Sequence, residues 1–302
     1  MDERTKVIIE RLQEARKTQM LLMWARFKAN IGALIGLILL SGIILMAILE
    51  PILPLEDPLA FNLGKSLEPP SLSCLFGRDE IGRDILSRVV SGAKYSLGIA
   101  FLSVVLGSSI GLVLGLISGY YGGWIDNIIQ RVTDVLLSFP TLLLSIALVS
   151  VLGVGLTNII LSVGISTIPV YIRLTRSLVL QVKSEEYVTA AQVIGKSSPY
   201  IIIRHILPNV LSPVIVQSTY YMGLTILIAA GLGFLGLGVQ PPTPEWGAMI
   251  GAGRTYIFSS PHVVTFPGLF IFITALSFNL IGDGLRDALD PRVRVLIKKV
   301  KI

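Results

Sequence analysis

The sequence predicts an all-α integral membrane protein with six transmembrane helices and both termini in the cytoplasm. Three observations carry that prediction. The 302 residues are 53% hydrophobic and 15% charged, against about 25% charged in a soluble domain. Uncharged stretches recur at lengths that cross the roughly 30 Å hydrocarbon core of a bilayer. Lysine and arginine gather on one side of those stretches, 19 against 6, as the positive-inside rule requires of cytoplasmic segments.

Residues 1–30 are charged and helix-prone, ending in Trp24, Arg26, Phe27 and Lys28. Ile31–Leu49 is an uncharged run of 19 residues. It reads as an uncleaved first membrane helix, because a signal peptide has a shorter apolar core and a small-residue cleavage site. Residues 50–76, rich in proline and acids, form an extracytoplasmic connector. In Gly77–Arg88, Ile81, Ile85 and Leu86 lead to Val89 at helical spacing, and Asp84 and Arg88 make an i,i+4 pair. An amphipathic helix is therefore expected there. The second span, Tyr95–Ser118, carries Gly107, Gly111 and Gly115, with Gly119 just beyond, on one face. Such a stripe lets two membrane helices approach closely; a narrow pore face is the alternative.

The 38 residues between Asp134 and Arg173 contain no charge. As one helix they would measure about 57 Å, so the chain folds back, and Gly153–Asn158 is the expected turn. Pro140 and Pro169 fall inside the two resulting helices as kinks. Val210–Gly238 is the fifth span and Val263–Ile281 the sixth. Between them Gln240–Trp246 is a proline-stiffened loop, with Trp246 expected at the membrane interface and substrate contact as the alternative. Asn279 is expected to join helices. Arg286, Asp287, Asp290 and Arg292 are expected to form a charge network in the polar, basic tail. The chain divides into 1–94, holding the N-terminal helix, first span and connector, and 95–302, a five-helix core.

One polar island interrupts this pattern at 184–209. Ser184 is placed to cap a short helix whose first turn holds Glu185 and Glu186, where carboxylates suit the positive end of the helix dipole. Gly195 is a natural terminator. Ser198 then caps a second helix whose first residue is Pro199, and Pro208 closes it. Such a unit is either a connector or a docking surface.

Chemistry is hard to find. The one cysteine, Cys74, permits no intrachain disulfide, and His205 and His262 are too far apart in sequence to suggest a metal cluster. The basic residues are scattered between apolar runs, so topology explains them better than nucleic-acid binding. Gly195-Lys196-Ser197 reads like the end of a phosphate-binding loop, but that loop needs a glycine where Ala190 stands and a preceding strand. An autonomous secondary carrier or channel would leave a buried ionisable group in the spans, and their apolar cores contain no Asp, Glu, Lys or Arg. Energy is expected to come from a partner acting at the island.

Thr189-Ala190-Ala191, Gly195 and Leu207-Pro208 resemble the coupling loop of ABC-importer permeases, whose pattern is Glu-Ala-Ala, three residues, Gly, and later Leu-Pro. Thr189 stands where the family usually has glutamate, with Glu185 and Glu186 as candidates to compensate. Gly77–Arg88, Gly233–Gly247 and Asn279–Arg292 resemble the dipeptide, oligopeptide and nickel subfamily, specifically its longer C-type subunit. Arg78 replaces the more usual threonine. The resemblance covers roughly residues 25–295.

It implies the type I importer permease fold in a prokaryotic cell membrane and no catalysis by this chain. The implied partners are a paralogous permease, two ABC ATPase subunits, an extracytoplasmic substrate-binding protein and membrane lipid. ATP and Mg would sit on the ATPases, not here. The coupling surface would comprise Glu185, Glu186, Tyr187, Thr189, Ala190, Ala191, Gly195, Lys196, Ser198 and Pro199, with Leu207 and Pro208. For Gly77–Arg88 two readings stand: an amphipathic helix resting on the membrane, or an outer gate or binding-protein platform built from Asp79, Gly82, Arg83, Asp84 and Arg88. The expected cargo is a di- or oligopeptide, with nickel complexes and oligosaccharides as alternatives.

Overall fold

The computed structural model describes residues 21–289; the expectations for 1–20, Asp290 and Arg292 lie outside them. Residues 21–29 are helical, the described end of the expected N-terminal helix, and after them come α1 (Ile31–Leu49), α2 (Ile85–Tyr121), α3 (Gly123–Leu137), α4 (Thr141–Leu152), α5 (Leu156–Lys183), α6 (Glu186–Val193), α7 (Ser198–Phe234), α8 (Trp246–Gly253) and α9 (His262–Leu289). Five of them, α1, α2, α5, α7 and α9, are long and apolar enough to cross a membrane. The pair α3 and α4, bent by 93°, adds a sixth candidate when the two are taken together as one broken span.

Helix α1 starts where the sequence places it, because the Asn30 side chain accepts a hydrogen bond from the Ala33 amide at 3.0 Å and satisfies an otherwise orphaned donor. It runs antiparallel to α9. Ala33 packs against Gly284 and Gly36 against Leu280, and Asn30 Nδ2 donates to Asp287 Oδ2 at 2.9 Å. Both described chain ends therefore lie at one end of the bundle. The 184–209 island lies at that end too, where Lys183 Nζ donates to the Tyr120 carbonyl at 2.7 Å. The connector and α8 occupy the opposite end.

The glycine stripe of α2 is a packing surface. Gly107, Gly111, Gly115 and Gly119 meet Thr167, Tyr171, Thr175 and Val179 of α5 in register. Gly153 and Gly155, both at positive φ, make the expected turn between α4 and α5. Asn158 Nδ2 closes it by donating to the Leu152 carbonyl at 2.8 Å.

Several expectations need correction. Pro140 kinks no helix: it stands at the N-terminus of α4, and the chain bends there by 93°. A residue before proline is pushed out of the helical region, so α3 stops at Leu137. The 12 residues of α4 reach only about 18 Å. Pro169 does lie inside α5. Residues 77–84 are not helical. Gly77 and Gly82 hold φ of 75° and 80°, which breaks a right-handed helix. Asp84 caps α2 by accepting from the Ser87 amide at 2.7 Å, so it does not pair with Arg88.

Pro208 does not close the second island helix, which continues as α7. A π-helical turn at Ile202–Ile206 widens the backbone immediately before it, relieving the clash between a proline ring and the carbonyl four residues earlier. Ser184 ends α5, and Glu185 and Ser197 occupy the two N-cap positions expected for Ser184 and Ser198. Trp246 is wholly buried rather than interfacial, and α8 occupies part of the expected loop. Asn279 sits beside Gly223 of α7, while its Nδ2 bonds back to Ala275 of its own helix at 3.0 Å.

Candidate functional site

At the elbow end, α6 and the start of α7 lie across the ends of α2 and α5. Val188, Ala191, Ile201 and Ile206 are buried in a cluster with Tyr120, Val179 and Val210. That inner face anchors the island to three membrane helices. Gly195 forms the elbow at φ 82°, with open space where a Cβ would stand, so its role is conformational. The Lys196 amide donates back to the Ala191 carbonyl at 3.1 Å, which closes the helix end.

The second half is braced by aromatic contacts. Tyr187 and Tyr200 flank His205 with ring centroids 6.1 and 5.8 Å away. Asn209 Nδ2 donates to Tyr187 Oη at 3.2 Å and to the His205 carbonyl at 2.7 Å. Lys196 Nζ lies 5.2 Å from the Tyr200 ring, within cation–π range. A chain of contacts thus joins the tip of the island to α7.

The opposite face looks outward. Glu185, Glu186, Tyr187, Thr189, Ala190, Gly195, Lys196 and Pro199 are exposed, and Ser198 is half-buried. Ala191 points into the core, and Leu207 is partly buried against it; Pro208 is exposed on α7. The strongest outward features lie within the expected 185–199 surface but were not singled out in it: Val193 and Ile194 are 83% and 75% exposed. Two adjacent apolar side chains are thus presented together on an ordered polar elbow. The apolar pair just before Gly195 was the sequence signal for it.

At the connector end, residues 77–88 join charges from distant parts of the chain. Arg78 forks onto Glu56, with Nη1 and Nη2 donating at 2.8 and 2.6 Å, and so pins the connector to the bundle. The guanidinium holds the Glu56 carboxyl below its usual range. Asp79 Oδ2 accepts from Arg83 Nε at 2.6 Å, while Arg88 Nε stands 3.5 Å from the same oxygen. Gly82 fits against the Asn62 backbone where any side chain would collide. Asp84 turns away from Arg83 and Arg88, accepting from Cys74 Sγ at 3.1 Å. Burial, with that carboxylate reinforcing it, pushes the Cys74 thiol up to about 12. Asp79, Arg83 and Arg88 are thus one buried cluster, neither a helix face nor a membrane-surface stripe.

Behind that cluster lies a residue the sequence reading passed over. Glu245 is buried and accepts from Ser96 Oγ at 3.0 Å and from the amides of Gly247 and Ala248 at 2.9 and 2.8 Å. It caps α8 and ties it to α2. Trp246 Nε1 adds a bond to the Val89 carbonyl at 2.9 Å.

Residues 111–295 match the family model of binding-protein-dependent transport system inner membrane components, and residues 18–70 match the N-terminal transmembrane domain of oligopeptide transport permease C. The chain is 46% identical over 269 residues to the dipeptide transport system permease protein DppC of Alkalihalophilus pseudofirmus, covering 89% of this chain and 88% of the relative. It is 45% identical to the corresponding protein of Haemophilus influenzae, covering 93% and 97%. It is 43% identical to the glutathione transport system permease protein GsiD of Pectobacterium atrosepticum, covering 90% of each. A chain of the inward-facing MetNI methionine ABC transporter shares the fold with a TM-score of 0.57 at 19% identity, covering 68% of this chain and 98% of the other.

Proposed function

The chain belongs to the family of binding-protein-dependent transport system inner membrane components, and from that premise we propose that it passes short peptides across the membrane as one permease of an ATP-driven importer. It is a multi-pass inner-membrane transport subunit, not an enzyme. Relatives named for dipeptides and for glutathione, itself a tripeptide, support the cargo class. A paralogous permease completes the path, an extracytoplasmic binding protein delivers cargo, and two ATPase subunits carrying ATP and magnesium supply the energy. The distribution of lysine and arginine puts the elbow end in the cytoplasm.

One observation carries the coupling reading: Val193 and Ile194 are presented outward on an elbow whose inner face is buried against α2, α5 and α7. A patch so braced transmits force. Closure of the ATPase pair would move the elbow as a rigid unit and re-orient the helices it is packed on.

The test is co-purification of the ATPase subunits with the Val193→Ser/Ile194→Ser double variant. Deleting 184–199 would also remove Val188 and Ala191 from the core, so the surface exchange is the cleaner perturbation. The expected result is an inserted, folded permease that no longer retains the ATPases. Retention at the wild-type ratio would refute the assignment. Thr189→Glu, an exposed exchange that restores the family's usual residue, is expected to strengthen retention.

A further inference from the structure

We propose that the cavity at the connector end is a binding site for a free carboxylate, with the Arg88 guanidinium as its principal ligand. The cavity measures about 180 Å³. Asp79, Glu80, Arg83 and Arg88 are in its wall, together with Thr243 and Met249. That volume is below the roughly 300 Å³ at which pockets begin to enclose a drug-sized ligand. It suits the end of a molecule, a carboxylate with a few carbons behind it.

The charges on the wall are unequally satisfied. Asp79 Oδ1 accepts from the amides of Ile81 and Arg83 at 3.1 and 2.9 Å, and Oδ2 accepts from Arg83 Nε at 2.6 Å. Glu80 Oε1 accepts from Arg83 Nη2 at 3.1 Å. Both acids are therefore committed to Arg83. Arg88 has only the 3.5 Å approach to an oxygen already occupied and, among the described residues, one hydrogen bond, from Nη1 to the Pro58 carbonyl at 2.9 Å. Its side chain is 5% exposed. A guanidinium has five donors in a planar fork, and among the described residues Arg88 Nε and Nη2 make no hydrogen bond and are not sealed from the cavity, so they are free to donate to a ligand. An entering carboxylate would take the fork in the geometry it favours.

The proposal rests on the peptide-permease reading for the origin of the carboxylate: it is the C-terminal group of cargo entering from the binding protein. An acidic side chain of the binding protein itself offers the same chemistry. The first measurement needs neither. Propionate and propionamide are titrated calorimetrically into the purified full-length permease complex without binding protein. Propionate is expected to bind, propionamide not. Arg88→Gln should weaken propionate at least tenfold and Arg88→Lys less. Ala252, exposed and lining the same cavity, gives a second variant: Ala252→Leu fills the space while leaving the guanidinium in place, and should also abolish binding. Lys94→Gln, outside the cavity, should leave it unchanged.

Equal binding of propionate and propionamide, no binding of either, or unaltered propionate affinity in both Arg88→Gln and Ala252→Leu would overturn the site. Two further arms identify the source. If it is cargo, peptides with a free C-terminus outcompete their amides in uptake, and that preference disappears with Arg88→Gln. If it is the binding protein, substrate-free docking weakens in Arg88→Gln instead. A carrier that moved no peptides at all would refute the transport reading and leave the propionate titration standing on its own.

Discussion

Replacing Gly115 by alanine tests whether the small-residue stripe of α2 acts through close packing. A Cβ at position 115 would lie 2.5 Å from Thr175 Cβ, 2.8 Å from Thr175 Cγ2 and 2.9 Å from the Ile172 carbonyl oxygen. Carbon contacts are most favourable near 3.5–4.0 Å, so the shortfall is about 1–1.5 Å. Thr175 is fully buried, and its Cβ is fixed to the backbone, so no rotamer change relieves the contact. The helices must separate along a seam that Gly107, Gly111 and Gly119 also need closed. Overpacking of this kind costs about 1–3 kcal/mol. Alanine gains up to about 1 kcal/mol over glycine in helix propensity, so the comparison must be with another glycine of the same helix. Gly98 is suitable, because a Cβ there meets nothing within 4 Å. Unfolding by SDS titration in mixed micelles should place Gly115→Ala about 1–3 kcal/mol below Gly98→Ala. Equal stability of the two variants would refute the close-packing account.

Trp246→Phe removes the bond to the Val89 carbonyl and leaves space in a buried cluster; the same titration should read a loss of about 1–3 kcal/mol, and wild-type stability would contradict the buried placement. Glu56 has a carboxyl pKa lowered by Arg78, so its anchoring of the connector is present above the ordinary carboxylate pKa and is lost as pH falls through the depressed value. The acid is half-exposed, so the contribution is under about 1 kcal/mol; protease protection of residues 50–76 should fall in acid for the wild type and stay flat with pH for Glu56→Gln. Cys74, with its thiol raised to about 12, stays protonated at neutral pH. Iodoacetamide should modify it at least tenfold more slowly in the folded protein than in SDS-unfolded chain, and equal rates would show that the thiol is accessible.

Composition, hydropathy and motif order were enough for the class, most of the spans and the family. Hydropathy acts over whole helices, so Ile31–Leu49 could be bounded to the residue. The fold-back followed from length, since 38 uncharged residues are too long for one crossing, and the glycines of Gly153–Asn158 located its turn. The island was legible because a polar interruption between apolar spans has few explanations. What the sequence could not decide were outcomes that depend on partners distant along the chain. Asp84 and Arg88 have the spacing of an ion pair, yet Asp84 serves the Ser87 amide and Cys74, and Arg88 is left to Pro58 and a shared Asp79. Trp246 has the composition of an interfacial anchor, yet glycines at 92, 233 and 247 let α8 pack close enough to bury it. Pro208 reads as a stop, yet a widened turn carries the helix through it. For Asp84 and Trp246 a local preference worth about 1 kcal/mol or less met burial and close packing worth more. For Pro208 a backbone adjustment removed the clash that a proline costing about 3 kcal/mol would otherwise bring. Both outcomes depend on neighbours that are distant in sequence or on backbone geometry, which only the tertiary structure decided.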